Sequence, residues 1–110
     1  MELTINDKQY TATFGVRFVR ELDKSAGLSV NGASFGMGLS KALFGLKSYD
    51  PATLSDVLYF GMLSSGSHPS QKQVDDYLDS DADIEKLFDE VIKELNESNS
   101  VRVAVKNLKA

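Results

Sequence analysis

The sequence predicts a mainly helical α+β fold in which an N-terminal β-hairpin packs on about four to five short helices. Two observations support this prediction. Residues 2–14 alternate between apolar and polar side chains, as strands do. Residues 15–95 largely repeat apolar side chains at helical spacing. The 110 residues leave room for one core, so residues 1–110 are expected to form a single domain.

The hairpin prediction rests on two apolar runs separated by turn-forming residues, Asn-Asp-Lys at positions 6–8. The alternating apolar positions are Leu3, Ile5, Tyr10, Ala12 and Phe14. An isolated hairpin is marginal in water, so its apolar face is expected to pack on helices or to gain a third strand. The valines of residues 101–106 alternate with other side chains, so this segment is expected to form that strand or a flexible tail.

The first two predicted helices cover residues 15–26 and 35–47. Gly27 is a natural end for the first, because glycine readily adopts the left-handed conformation there. The second contains Gly36, Gly38 and Gly45, each of which costs about 1 kcal/mol relative to alanine. We interpret these glycines as sites of tight helix–helix contact rather than as a ligand-binding loop.

The remaining helices begin at recognisable capping residues. Asp50 followed by proline predicts a helix over residues 51–64. Ser70 and Gln73 have the spacing of a capping box, which predicts the start of the next helix. Asp83 precedes a strong helical pattern that extends to residue 95. Residues 64–69 are the clearest linker.

Apolar side chains surround the predicted helix 51–64 almost completely. Such a helix is either central in the core or presents a second face to a partner. Tyr59, Phe60 and Leu63 are therefore predicted to contribute to a partner-binding or self-association face. The alternative is that all three belong to the core of this small domain.

The excess negative charge lies in one segment, residues 70–95, which carries nine carboxylates and three lysines. Residues 1–69 contain six groups of each sign, and residues 96–110 sum to +2. This distribution is typical of a protein that contacts other proteins. It disfavours nucleic-acid binding, including a DNA-binding regulator, because that role needs a basic recognition helix.

No pattern in the sequence indicates catalysis, a cofactor or a metal ion, so we expect a non-enzyme. Cysteine is absent, and His68, in the linker, is expected to be solvated. The D-x-D-x-D spacing at residues 79–83 lacks the glycine that a calcium loop needs, since Ile84 follows. Residues 36–38 lack the lysine-serine pair of a phosphate loop. No apolar run of about 18 residues or secretory signal is present, so no membrane span or export is expected.

Three segments carry a family resemblance: F-G-x-x-F-x-R-E-L-D at residues 14–23, P-S-Q-x-x-V-D-D at 69–76 and D-I-E-K-L-F-D-E-V-I at 83–92. In this order they resemble the small tail assembly chaperones of long-tailed phages and prophages of Gram-positive bacteria. The resemblance extends over nearly the whole chain. It carries no catalytic residues.

The resemblance implies a protein that binds the tape measure protein, the very long and mostly helical chain that sets tail length. It implies that the protein keeps this chain soluble, helps recruit tail tube subunits and is absent from the finished tail. Further implied partners are the tail tube protein and a longer, frameshifted form of the protein itself; self-association is a further expectation. The expected location is the host bacterial cytoplasm. The alternative function is a small structural phage adaptor, at the head–tail junction or on the tube, that is retained in the virion.

Overall fold

A computed structural model describes residues 1–25, 37–80 and 82–108, and within them the chain forms one β-hairpin and six helices. The elements are β1 (Glu2–Ile5), β2 (Lys8–Thr11), α1 (Val16–Ser25), α2 (Met37–Lys47), α3 (Pro51–Leu63), α4 (Gln71–Ser80), α5 (Ile84–Glu97) and α6 (Asn99–Leu108). The predicted mainly helical α+β fold with an N-terminal hairpin is therefore confirmed. Predicted features between residues 26 and 36, including the end at Gly27, lie outside the described residues.

The hairpin forms at the predicted position, with its strands antiparallel and Leu3 opposite Tyr10. Asn6 and Asp7 both adopt positive φ angles, 53° and 64°, as a two-residue type I′ turn requires. All five predicted inward positions, from Leu3 to Phe14, are buried. The hairpin packs on helices, with β2 against α3 and β1 against α4.

The C-terminal segment is helical, so the prediction of a third strand or a flexible tail at residues 101–106 was wrong. Two of the alternating valines, Val101 and Val103, lie on different sides of α6. Val101 is 1% exposed and packs in the core, whereas Val103 is 64% exposed. In a strand, residues two apart lie on the same face, as the alternation predicts. In a helix, residues two apart lie on different sides, and this is the arrangement of Val101 and Val103.

Ser98 explains why a helix begins in this segment. Its Oγ accepts a hydrogen bond from the backbone N–H of Val101 at 3.3 Å, and its carbonyl oxygen accepts one from the N–H of Arg102 at 2.9 Å. The same hydroxyl donates to the carbonyl oxygen of Phe14 at 2.5 Å. Ser98 therefore acts as an N-cap for α6 and ties this helix to the end of the hairpin.

The glycines of α2 lie where neighbouring helices approach closely. A methyl group at Gly38 would lie 2.1 Å from the carbonyl oxygen of Leu22 in α1. One at Gly45 would lie 2.2 Å from Oγ1 of Thr53 in α3. The interpretation of tight helix–helix contact is confirmed at both positions, and Gly36 lies outside the described residues.

The predicted helix starts at α3, α4 and α5 are confirmed by hydrogen bonds. Asp50 accepts from the backbone N–H of Ala52 at 3.1 Å, ahead of proline in the first turn. The hydroxyl of Ser70 accepts from the N–H of Gln73 at 3.1 Å, and the Gln73 side chain accepts from the N–H of Ser70 at 2.8 Å. Asp83 accepts from the third N–H of α5 at 3.3 Å. These bonds fix the first turns of α3, α4 and α5.

Candidate partner-binding groove

A groove lies among α1, α2 and α3, with a volume of about 140 Å³, and we call it the α2–α3 groove. Apolar side chains from all three helices line it: Leu22, Ala42, Val57 and Phe60. Its polar lining residues are Ser25, Lys41, Thr53 and Asp56, and Gly38 adds backbone. An apolar lining with a few polar groups is the usual composition of a binding pocket.

The sequence builds this groove from a helical hairpin. α2 and α3 are joined by a short turn at residues 48–50, and Gly45 meets Thr53 next to that turn. On α3, the groove residues are spaced at i, i+3, i+4 and i+7 from Thr53, so they form one stripe along the helix. Gly38 and Phe60 lie at the other end, where α2 begins and α3 ends.

Two opposite charges line the groove, Lys41 from α2 and Asp56 from α3. Partial burial raises the pKa of Asp56 above its usual range, and the negative charge of Asp75 raises it further, while the Lys41 ammonium partly offsets both effects. Within the described ranges, the ion pairs closer than 4.0 Å are three pairs on helix surfaces that involve neither Lys41 nor Asp56. Both groove charges therefore remain available to a bound chain.

The three residues predicted to form a partner-binding face, Tyr59, Phe60 and Leu63, are all partly buried. The rings of Tyr59 and Phe60 meet edge to face with centroids 5.5 Å apart, and Phe60 lines the groove. Leu63 lies at the end of α3, three residues beyond Phe60. His68 is exposed, as expected, and its ring lies 5.7 Å from that of Tyr59. The structure thus brings Tyr59 and Phe60 together beside the groove.

Sequence reasoning missed Lys41, Asp56 and the exposed Phe44 as functional candidates. Phe44 is 75% exposed on α2, one turn from Lys41. The sequence alone does not show that Phe44 is exposed, because this depends on which face of α2 is buried. Lys41 and Asp56 belong to different helices, so only the packing of those helices places them in one groove.

The carboxylates of the acidic segment, residues 70–95, lie mostly on exposed surface. Those exposed on α4, on α5 and at the cap between them are Asp75, Asp76, Asp79, Asp83, Glu85, Asp89 and Glu94. Lys72 lies 2.8 Å from Asp76, and this hydrogen bond raises the pKa of Lys72.

Within the part of the chain that is described, no group of three or more metal-ligating side chains is arranged to hold an ion; Asp81 lies outside it. None of the helices described is long and apolar enough to cross a membrane.

Comparison with known proteins gives one family. Residues 2–109 match the family described as Phage tail assembly chaperone protein, TAC, which agrees with the resemblance of the three sequence segments. Comparisons with curated proteins and with solved structures gave no significant match. A chaperone family implies a non-catalytic role with tail proteins as partners. Because the match extends over nearly the whole chain, this protein belongs to the phage tail assembly chaperone family.

Proposed function

We propose that this protein binds the tape measure protein of a phage tail in the host bacterial cytoplasm, keeps it soluble and helps recruit tail tube subunits. The proposal extends to a longer, frameshifted form of the protein and further copies of itself as partners, and to its absence from the mature tail. Family membership supports a role in tail assembly. The observation that supports client binding is the α2–α3 groove, with the rings of Tyr59 and Phe60 beside it.

A chaperone of this kind has to cover apolar surface on its client without aggregating. Partly buried aromatic rings and the 75% exposed Phe44 supply apolar contact area near the groove. The acidic segment supplies repulsion between complexes, because its net charge of −6 is displayed mainly on exposed side chains. Apolar contact and charge thus come from different helices, so a client on α2 and α3 leaves most of the acidic surface hydrated.

Co-expression with the tape measure protein tests this function. The measurement is the fraction of tape measure protein that stays in the supernatant after centrifugation of the lysate. We expect the wild-type protein to raise this fraction and the Tyr59→Ala/Phe60→Ala variant to lose most of the effect. Val103→Ala is the matched control, since Val103 is 64% exposed on α6 and does not line the groove.

Thermal melting of the same variants separates a binding face from the core. If Tyr59 and Phe60 act mainly in binding, their double variant remains folded at the assay temperature while it loses client solubility. If the double variant unfolds and no single substitution separates binding from folding, the residues belong to the core and the assignment to a binding face is wrong. Leu63→Ala extends the same comparison to the third residue.

Mass spectrometry of purified virions separates the proposed chaperone from a structural adaptor. The chaperone acts before the tail is complete, so its peptides should be missing from particles in which the tube protein is abundant. Recovery of this protein in a fixed ratio to the tube protein would show that it is a permanent virion component instead.

A further inference from the structure

We infer that the α2–α3 groove takes one apolar side chain from an amphipathic helix of the client, and that Asp56 pairs with a lysine or arginine one helical turn away on that same helix. This inference rests on the proposed function, because it specifies what the client presents to the groove.

The volume of the groove limits how much of a client enters it. A space of about 140 Å³ matches, in size, an apolar cavity of roughly 150 Å³ that accepts a benzene molecule. One leucine, isoleucine, methionine or phenylalanine side chain therefore fits, whereas a whole helix does not. The rest of the client has to lie across α2 and α3, where Phe44 offers further apolar contact.

The charges in and near the groove favour a cation on the client. Asp56 experiences the negative charges of Asp75 and Asp50, whereas Lys41 is the cation that acts on it. No described ion pair within 4.0 Å neutralises Asp56. A lysine or arginine placed beside Asp56 would be attracted by three carboxylates and repelled by one ammonium, that of Lys41, whereas a carboxylate there would meet the reverse balance.

The spacing of the groove residues matches a helix. Asp56 and Phe60 are four residues apart on α3, which is about one turn, or roughly 6 Å along the helix axis. A client helix lying along α3 brings an apolar side chain to Phe60 and a cation to Asp56 when the two are three or four residues apart. Helices that dock in grooves use this repeat of anchor residues. The predicted client element is therefore a basic amphipathic helix.

Overlapping synthetic peptides of about 20 residues, which together span the tape measure protein, are the probe. Their binding is measured by fluorescence anisotropy against the wild type, Asp56→Lys and Asp56→Asn. We expect the tightest peptides to carry an apolar residue three or four positions from a lysine or arginine. We expect Asp56→Lys to weaken their binding about 10-fold and Asp56→Asn about 3-fold, the latter with a reduced dependence on salt. Asp89→Lys, an exposed carboxylate of α5 outside the groove lining, is the control and should change the Kd less than about 2-fold.

A charge exchange makes the pairing specific. A peptide in which the basic residue is replaced by glutamate should bind the wild type poorly and should regain affinity for Asp56→Lys. Circular dichroism establishes whether each variant is folded. If Asp56→Lys does not fold, the test uses Asp56→Asn, whose side chain is nearly isosteric with that of the wild type. If Asp56→Asn and the glutamate peptide both bind as their parents do, Asp56 pairs with no client cation and the inference is overturned.

The outcomes distinguish this inference from the proposed function. If the peptides bind the Asp56 variants as tightly as the wild type but do not bind Tyr59→Ala/Phe60→Ala, the inference is overturned and the proposed chaperone function stands. If no peptide binds, the Asp56→Lys variant is tested in the co-expression assay, where an undiminished soluble fraction of tape measure protein overturns the inference. If the wild type itself does not raise that fraction, the proposed function fails.

Discussion

The hydroxyl of Ser55 in α3 donates a hydrogen bond to the carboxylate of Asp75 in α4. The same hydroxyl accepts a hydrogen bond from the side-chain amide of Gln71, at 2.8 Å. Ser55 is only 3% exposed, so its hydroxyl depends on these two partners in place of water. The three side chains join the apolar α3, which carries the groove, to the first acidic helix.

Replacement of Ser55 by alanine should lower the free energy of unfolding by about 1–3 kcal/mol, because a buried hydrogen bond to a charged group is lost. Urea denaturation measures this change. Ser67→Ala is the control, since Ser67 is exposed in the linker, and it should change stability by less than about 0.5 kcal/mol. Equal stability of Ser55→Ala and the wild type would mean that the network contributes nothing to the α3–α4 contact.

Replacement of Gly38 by alanine should also destabilise the protein, although alanine is the better helix former by about 1 kcal/mol. The added methyl group would lie 2.1 Å from the carbonyl oxygen of Leu22, which is backbone and cannot rotate away. We expect a loss of about 1–3 kcal/mol in denaturant unfolding, as for other overpacked sites. Ser40→Ala on the exposed side of the same helix should leave stability unchanged or slightly raised. A stabilised Gly38→Ala variant would contradict the close contact of α1 and α2.

Tyr49 occupies a left-handed position that usually favours glycine, with φ of 56°. The N–H of Asp50 donates to the carbonyl oxygen of Gly45 at 2.9 Å, and the N–H of Tyr49 donates to that of Leu46 at 3.1 Å. These two bonds are the Schellman pattern that ends α2. The Tyr49 ring meets the buried ring of Phe88 edge to face, with centroids 5.2 Å apart, and this contact opposes the backbone strain.

Two substitutions at Tyr49 should therefore differ. Tyr49→Gly removes strain of about 1–2 kcal/mol and an aromatic contact of about 0.5–1.5 kcal/mol, so its stability should stay near that of the wild type. Tyr49→Val loses the ring and keeps a side chain that disfavours positive φ, so it should be less stable than Tyr49→Gly by about 1–2 kcal/mol. The midpoints of guanidinium unfolding compare the two variants. Equal midpoints would show that the left-handed backbone stores no strain.

Much of the fold could be predicted because its determinants are local. Asn6 and Asp7 adopt the left-handed conformation that their side chains tolerate, and the capping box at Ser70 and Gln73 marks the start of α4. Each feature depends on residues within one turn or one hairpin. The sequence therefore contains enough information to locate these elements without knowledge of their packing.

The rest of the fold depends on contacts between distant segments. The valines at the start of α6 alternate as strand residues do, yet the segment is helical. Ser98 caps this helix, and its hydroxyl also donates a hydrogen bond to the carbonyl oxygen of Phe14, 84 residues away. The groove likewise needs Lys41 and Asp56 on separate helices that meet through glycine contacts. Sequence periodicity identifies which face of a helix is apolar, but it does not determine which second helix supplies the opposite wall.

The stability of the protein should depend on pH through Asp56. Burial and neighbouring carboxylates raise its pKa above the ordinary value of 3.8, so the folded state binds this proton more tightly than the unfolded state. Above the folded-state pKa, the ionised Asp56 therefore lowers the free energy of unfolding. This loss disappears as the pH falls from the folded-state pKa to below the unfolded value of 3.8. Asp56→Asn should accordingly be more stable than the wild type at pH 7, with an advantage that shrinks as the pH falls through this range.

Lys41→Gln should change stability at pH 7 in the opposite direction from Asp56→Asn. Loss of the Lys41 charge removes the attraction that partly offsets burial, so the pKa of Asp56 should rise further and stability at pH 7 should fall. Carbon-13 NMR of the Asp56 carboxyl group follows the pKa directly in the wild type and in Lys41→Gln, and urea unfolding from pH 7 to pH 3 follows stability. An Asp56 that titrates at or below 3.8, together with an Asp56→Asn advantage that does not vary with pH, would show that the groove does not disfavour this charge.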